Sequence, residues 1–223
     1  MSMTNQSRTA VVRLVGEFTV ILVGVFAALG ADRWNQERIR VQSEVLHIEA
    51  LVSDIRADAA AATEVLTFLP EAKAARDSLL AAVEGHGPLP SDLKAVIIRA
   101  WVTVVLPPTL TWSDLSRSGG SLLISDRGHR RDIAEYYAVR EEAERFMGRG
   151  ELRGRYPFVE AQYQIGILEN PPRTDAPEAF LSFPDMRTRL IGLGGHYAVM
   201  EAYLPVLREA SDAVLERLGE EGG

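Results

Sequence analysis

The sequence predicts an all-α fold: an N-terminal transmembrane helix that runs into a long amphipathic helix, followed by an antiparallel helical bundle. Three observations predict it. Residues 14–31 are apolar apart from Glu17. Apolar residues from Val41 to Leu69 then recur at intervals of three and four, the period of one helix face. No segment reads convincingly as a strand, since SLLI is short and VIIRAWVTVV sits between helical patterns.

The totals agree with this class. At 223 residues the chain holds one good-sized domain, or a smaller domain plus an anchor. Hydrophobic residues make up 47% and charged residues 25%, which points away from disorder and from a polytopic membrane protein. A net charge of −7 and a pI near 5.2 argue against nucleic acid as the ligand, because phosphate binding needs clustered cations. With no cysteine present, disulfides, thiolate zinc sites, cysteine nucleophiles and iron–sulfur clusters drop out together.

Residues 1–10 form a tail, and 11–33 the expected transmembrane helix. Eighteen residues at 1.5 Å each give about 27 Å, close to the hydrocarbon thickness of a bilayer. Val11 and Val12 extend the run toward the headgroups. Glu17 follows Arg13 by four residues, so an i,i+4 pair shields its charge near the interface. Trp34 closes the run where an aromatic belt residue sits. Gly16, Gly24, Ala27, Ala28 and Ala31 are small residues at helical spacing, which lets another membrane helix approach closely. Two other readings of the run stay open: a signal peptide with an h-region at 18–28 and a small-residue site at 28–30, and a buried core helix.

The pattern G-E-x4-L-x-G-x5-G-A-D-x-W-N-x-E, followed further on by TWSDLSRSGGSLLISDRGHRRDIAEYY, resembles a family of uncharacterised bacterial single-pass membrane proteins. The two stretches cover roughly a quarter of the chain. The resemblance implies a Glu-bearing anchor and a helical domain, and it assigns no activity.

The extramembrane domain is expected over 34–219. Its long helix spans 34–69, with Val41, Val45, Ile48, Val52, Ile55, Ala59, Ala62, Leu66 and Leu69 forming an a/d-like seam. No glycine or proline separates anchor from seam, so one continuous rod is expected, its seam paired within its own chain. Pro70 starts a second helix that folds back. GHGPLPSD is a loop in which Ser91 or Asp92 caps a third, mostly apolar helix that Pro107-Pro108 stops. A short helix at 113–117 and a Gly119-Gly120 turn follow. Ser125 or Asp126 caps the next long helix. Gly148, Gly150 and Gly154 predict a kink or break, and Pro157 a restart. ENPPRTDAPEAF is a loop. Residues 185–218 are helical with interruptions near Gly192–Gly195 and Pro205, and 220–223 fray.

Candidate chemistry is sparse. Glu44-x-x-His47 is half of a bundle carboxylate metal site, with Asp126-x-x-His129 as the nearest second half; the latter sits where a helix cap is wanted. GLGGHY lacks the preceding strand and following Lys-Ser/Thr of a phosphate loop. Ser121, His129 and Asp132 lack a nucleophile elbow. No metal, cofactor or catalytic set is assigned. Arg145, Arg149 and Arg153 recur every four residues in an acidic protein, which suits lipid phosphates or an acidic partner surface. Their ordinary alternative is a solvated face balanced by neighbouring glutamates. Trp101 and Trp112 are core and loop packing, or a docking surface where exposed.

The expected function is a non-catalytic, membrane-anchored accessory or scaffolding subunit of a larger assembly such as a respiratory, photosynthetic or transport complex. Its expected partners are the lipid bilayer and other integral membrane proteins, without nucleic acid; a homo-oligomer using the seam between identical chains is the alternative. The alternatives are a self-assembling sensing module and a metal-dependent helical enzyme. Arg8 and Arg13 flank one end of the span and Arg33, Arg38 and Arg40 the other, close to a tie by the positive-inside rule. The short tail places the domain in the periplasm of a bacterial inner membrane.

Overall fold

The computed structural model describes residues 4–102, 104, 106–108, 110–117 and 123–220, and the side chains of residues 4–16, Val20, Leu110 and Glu220 fall outside that description. The main elements are all helical: α1 (Thr4–Val83), α2 (Leu93–Ala100), α3 (Leu110–Arg117), α4 (Arg127–Gly150), a π-helical turn (Glu151–Arg155), α5 (Tyr156–Gln164), α6 (Ala176–Ser182) and α7 (Met186–Glu220). The expected Gly119-Gly120 turn lies outside the described residues. The chain divides into one unit up to Glu49 and a second from Ala50 onward.

In the second unit α1 contributes a buried stripe: Leu51, Ile55, Asp58, Ala62, Val65, Leu69, Ala72, Ala75, Leu79 and Ala82. The steps of three and four keep these side chains on one face. The expected seam needs two corrections. Val52, Ala59 and Leu66 are only half-buried, because the inward position between Ile55 and Ala62 belongs to the Asp58 carboxylate. The stripe also does not stop at residue 69. Pro70 lies inside α1, on its exposed side. Proline in a helix costs about 3 kcal/mol, whereas each large apolar side chain buried contributes about 1.5–3 kcal/mol. Burial of Leu69, Ala72 and Leu79 on either side of the proline therefore holds the helix together.

α7 lies antiparallel to α1: Lys73 pairs with Glu201 at 2.6 Å, and Glu84 further along α1 pairs with Arg187 earlier in α7, at 2.7 Å. α7 is antiparallel to α4 as well, with Asp132 paired to Arg217 at 2.7 Å and Phe146 stacked on Tyr203. α1 and α4 consequently run the same way, a departure from the expected antiparallel arrangement that α7 keeps. Leu190, Leu193, Tyr197, Met200, Leu204 and Leu207 carry the α7 side of the core. That stripe passes through Gly192–Gly195 and Pro205 without the predicted interruption.

Glycines at the α4–α7 crossing serve close approach. A Cβ on Gly154 would lie 2.1 Å from the Gly192 carbonyl oxygen, and one on Gly192 would lie 3.0 Å from the Arg153 carbonyl oxygen. Two backbones touch here, which only residues without a Cβ allow. Where a kink or break is expected, the helix does not break but continues through the π turn into α5. A π bulge inserts an extra residue and bends the axis while keeping the hydrogen-bond ladder. Pro157 occupies the first turn of α5, as expected.

Asp92 accepts from the Ala95 N–H at 2.9 Å and Asp126 from the His129 N–H at 2.7 Å, so both expected caps form. α2 ends earlier than expected, at Ala100. Trp101 leaves helical geometry with ψ near 78° while its N–H still reaches the Ile98 carbonyl. α6 occupies the end of a stretch expected to be loop, anchored by buried Ala176 and Phe180 four residues apart.

In the first unit the described side chains from 17 to 39 are exposed without exception. Phe18, Ile21, Val23, Phe26 and Leu29 are each more than half exposed; at about 100° per residue they cover roughly 200° of the helix, and Ala27, Ala28 and Ala31, also exposed, fall on the remaining side. Beyond them Gln36 bonds Asp32 and Arg40 pairs with Glu37 at 2.6 Å. Val41 and Val45, two expected seam positions, are exposed. Among the described residues no helix is long and apolar enough to cross a membrane. The expected span at 11–33 falls partly on residues whose side chains are outside the description.

Candidate functional site

Two features of the bundle place polar chemistry inside it. The first centres on Asp58, buried on the α1 stripe. Tyr136 Oη donates to Asp58 Oδ2 at 2.6 Å, and Arg140 Nε donates to the same oxygen at 2.6 Å. Arg140 also donates to the Pro107 carbonyl and pairs with Glu144 at 2.7 Å. Asp58 and Arg140 are each about 2% exposed. Burial opposes the Arg140 charge, but the Asp58 hydrogen bond together with the charges of Asp58 and Glu144 outweighs it, so the guanidinium pKa is raised. Burial, followed by the Asp58 carboxylate as acceptor, raises the Tyr136 phenol, which stays protonated and donates. Tyr137, next along α4, is raised by burial and then by the charges of Asp54 and Asp58. The bonds of Tyr136 and Arg140 to Asp58 tie α4 to α1, so the group acts as a clasp.

The second feature lies where α4 and the π turn cross α7. His196 is 2% exposed and neither ring nitrogen has a hydrogen-bond partner among the described residues. Its pKa falls to about 4, first through burial, with Glu151 pulling it up and Arg155 pushing it down. The ring is therefore neutral at pH 7 and offers one donor and one acceptor. Two clefts share its wall. One, of about 460 Å³, is lined by Leu106, Glu144, Met147, Glu151, Arg155 and Tyr156. There the Arg155 guanidinium lies over the Trp101 and Tyr156 rings and pairs with Glu151 at 3.6 Å. The other, of about 420 Å³, is lined by Phe146, Arg149, Arg153 and Val199 with glycines between them.

The residues singled out from the sequence distribute as follows. Gly24, Ala27, Ala28 and Ala31 are exposed, and a Cβ on Gly24 would meet nothing within 4 Å. Glu17 and Trp34 are exposed, Trp34 by 68%. The side chains of Arg13 and Gly16 lie outside the described residues. Trp101 is half-buried beneath Arg155. Trp112 is half-buried and stacks on Tyr137 with ring centroids 4.9 Å apart. Arg145, Arg149 and Arg153 are exposed on one side of α4 and the π turn.

His47 Nδ1 lies 2.5 Å from the Ser43 carbonyl, and Glu44 pairs with Arg40 at 3.7 Å. Among the described residues no group of three or more His, Asp or Glu side chains could hold a metal ion. Ser121 is outside the description, and the GLGGHY segment is helical within α7.

Asp58, Arg140, Arg155 and His196 escaped the sequence reading. A carboxylate at a seam position between Ile55 and Ala62 was the available signal for the clasp. For the crossing it was small residues in register on two polar helices, Gly150 and Gly154 against Gly192 and Gly195. Comparisons with protein-family models, with curated proteins and with solved structures give no match to this chain.

Proposed function

We propose that this protein is a non-catalytic, membrane-anchored accessory or scaffolding subunit of a larger membrane assembly, inserted through residues 11–33. The observation that carries the reading is an apolar run whose described side chains are all exposed. Phe18, Ile21, Val23, Phe26 and Leu29 are all exposed. Leaving five such side chains in water forgoes about 1.5–3 kcal/mol each, and hydrocarbon on every side removes that penalty. A helix apolar all round belongs in a core or a membrane, and no core of its own covers this one. The single carboxylate in the run and the tryptophan after it fit the same reading.

Gly24 and Ala28 leave open space beside the helix, which suits a neighbouring membrane helix. Exposed Val41 and Val45 favour a second reading, in which two copies of the chain pair through this segment. Gentle extraction, native electrophoresis and mass spectrometry separate the two. Co-migration with a fixed set of other membrane proteins, weakened by Gly24→Leu with Ala28→Leu, is the expected result. A homo-oligomer alone supports the second reading and overturns the first.

A further inference from the structure

We propose that the cleft between α4, the π turn and α7 binds a small organic anion, a carboxylate or a phosphate ester carried on a short apolar body. This goes beyond the anchoring role and does not depend on it. The cleft, about 420 Å³, is of ligand size. Its walls are Phe146 and Val199, its charged groups are Arg149 and Arg153, and no carboxylate lines it. Neither arginine forms an ion pair with a described residue, although the chain carries a net charge of −7. Arg149 rests on the Phe146 ring, 5.6 Å from its centroid, so a cation is already held against an apolar wall. Glu151, which lines the neighbouring cleft, is engaged with Arg155.

His196 supplies the buried polar contact. Both ring nitrogens lack partners within a wall of this cleft, and leaving such an atom unsatisfied is unfavourable. Gly150 is what leaves room for the imidazole, because a Cβ there would sit 2.9 Å from Nδ1. Two guanidiniums matched to an oxyanion, one imidazole edge and a flat apolar wall define the class. Inorganic phosphate would use the charges and make no apolar contact with Phe146 and Val199.

The chain has four histidines, so the full-length protein in a neutral detergent, labelled at histidine, reports the site by NMR, with His196→Gln assigning the signal. Butyrate or butyl phosphate is expected to shift the His196 resonance saturably, with a Kd of about 1 mM or tighter, while His47, His86 and His129 stay put. Arg149→Gln with Arg153→Gln should weaken this roughly tenfold or more, and Gly150→Ala should abolish it. No saturable shift from either probe overturns the proposal, as does an equal response to butanol or to inorganic phosphate. Equal affinity in the arginine variant also overturns it. A response to phosphatidylglycerol in the micelle with none to butyl phosphate would replace the small ligand by a lipid.

Discussion

Helix α1 contains two apolar stretches that its backbone treats identically and its surroundings do not. Over residues 51–82 the inward side chains are buried every three or four residues, and the other faces are polar or half-exposed. Over residues 17–31 the apolar side chains point in all directions and every described one is exposed. The same hydrophobicity therefore serves two ends. A stripe is the pattern of a helix that finds its cover within its own fold, and a full sleeve is the pattern of a helix whose cover is something else. Membrane lipid, or another protein within it, is the cover we propose for the sleeve.

The comparison breaks most severely at Asp58, the charge set into the stripe. Asp58→Ala leaves Arg140 buried with its principal partner gone, and Tyr136 without its acceptor. Removing one member of a buried pair destabilises by about 3–5 kcal/mol. Denaturant unfolding of the bundle checks this, and the nearby Glu144 places the loss at the lower end of that range.

Leu69→Ala and Phe26→Ala set the two stretches directly against each other. Leu69 is 2% exposed, and its truncation should cost about 2–5 kcal/mol in bundle stability. Phe26 is 68% exposed, and its truncation should move the same unfolding transition by less than about 0.5 kcal/mol. Comparable losses from the two would erase the distinction.

Acid sharpens the comparison by acting on the bundle. His196 has a folded pKa of about 4 against an ordinary 6.5. A base with a depressed folded pKa is held neutral in the fold, so the unfolded chain binds the extra proton between these values. Stability is thus full above pH 6.5 and declines as pH falls toward 4, by at most about 3 kcal/mol. Glu151 and Arg155 face the same ring. Unfolding of the wild type and of His196→Gln, followed from pH 7 to pH 4, should show a shallower decline in the variant.

Much of this architecture is legible in the sequence, for identifiable reasons. Helix caps are local, and Asp92 and Asp126 cap where they were expected. The unbroken passage from the apolar run into the seam is equally local, since no glycine or proline intervenes. What escaped was tertiary. Pro70 and Gly192–Gly195 read as breaks because intrinsic propensity was the only term in view, and burial on both sides overrides it. Asp58 hid the true stripe by putting a carboxylate at an inward position. His196 carried no motif at all: a single histidine becomes notable only when α4 and α7 cross tightly enough to bury it, and that crossing rests on glycines whose role depends on the partner helix.

The central claim is that lipid covers the sleeve, and alkaline carbonate extraction of membranes tests it most directly. The full chain should stay with the membrane pellet. Val23→Arg with Phe26→Arg, which places two charges in the run at about 2.5–3.5 kcal/mol each, should move it to the supernatant while the bundle still unfolds cooperatively. Release of the unaltered chain into the supernatant would contradict the account.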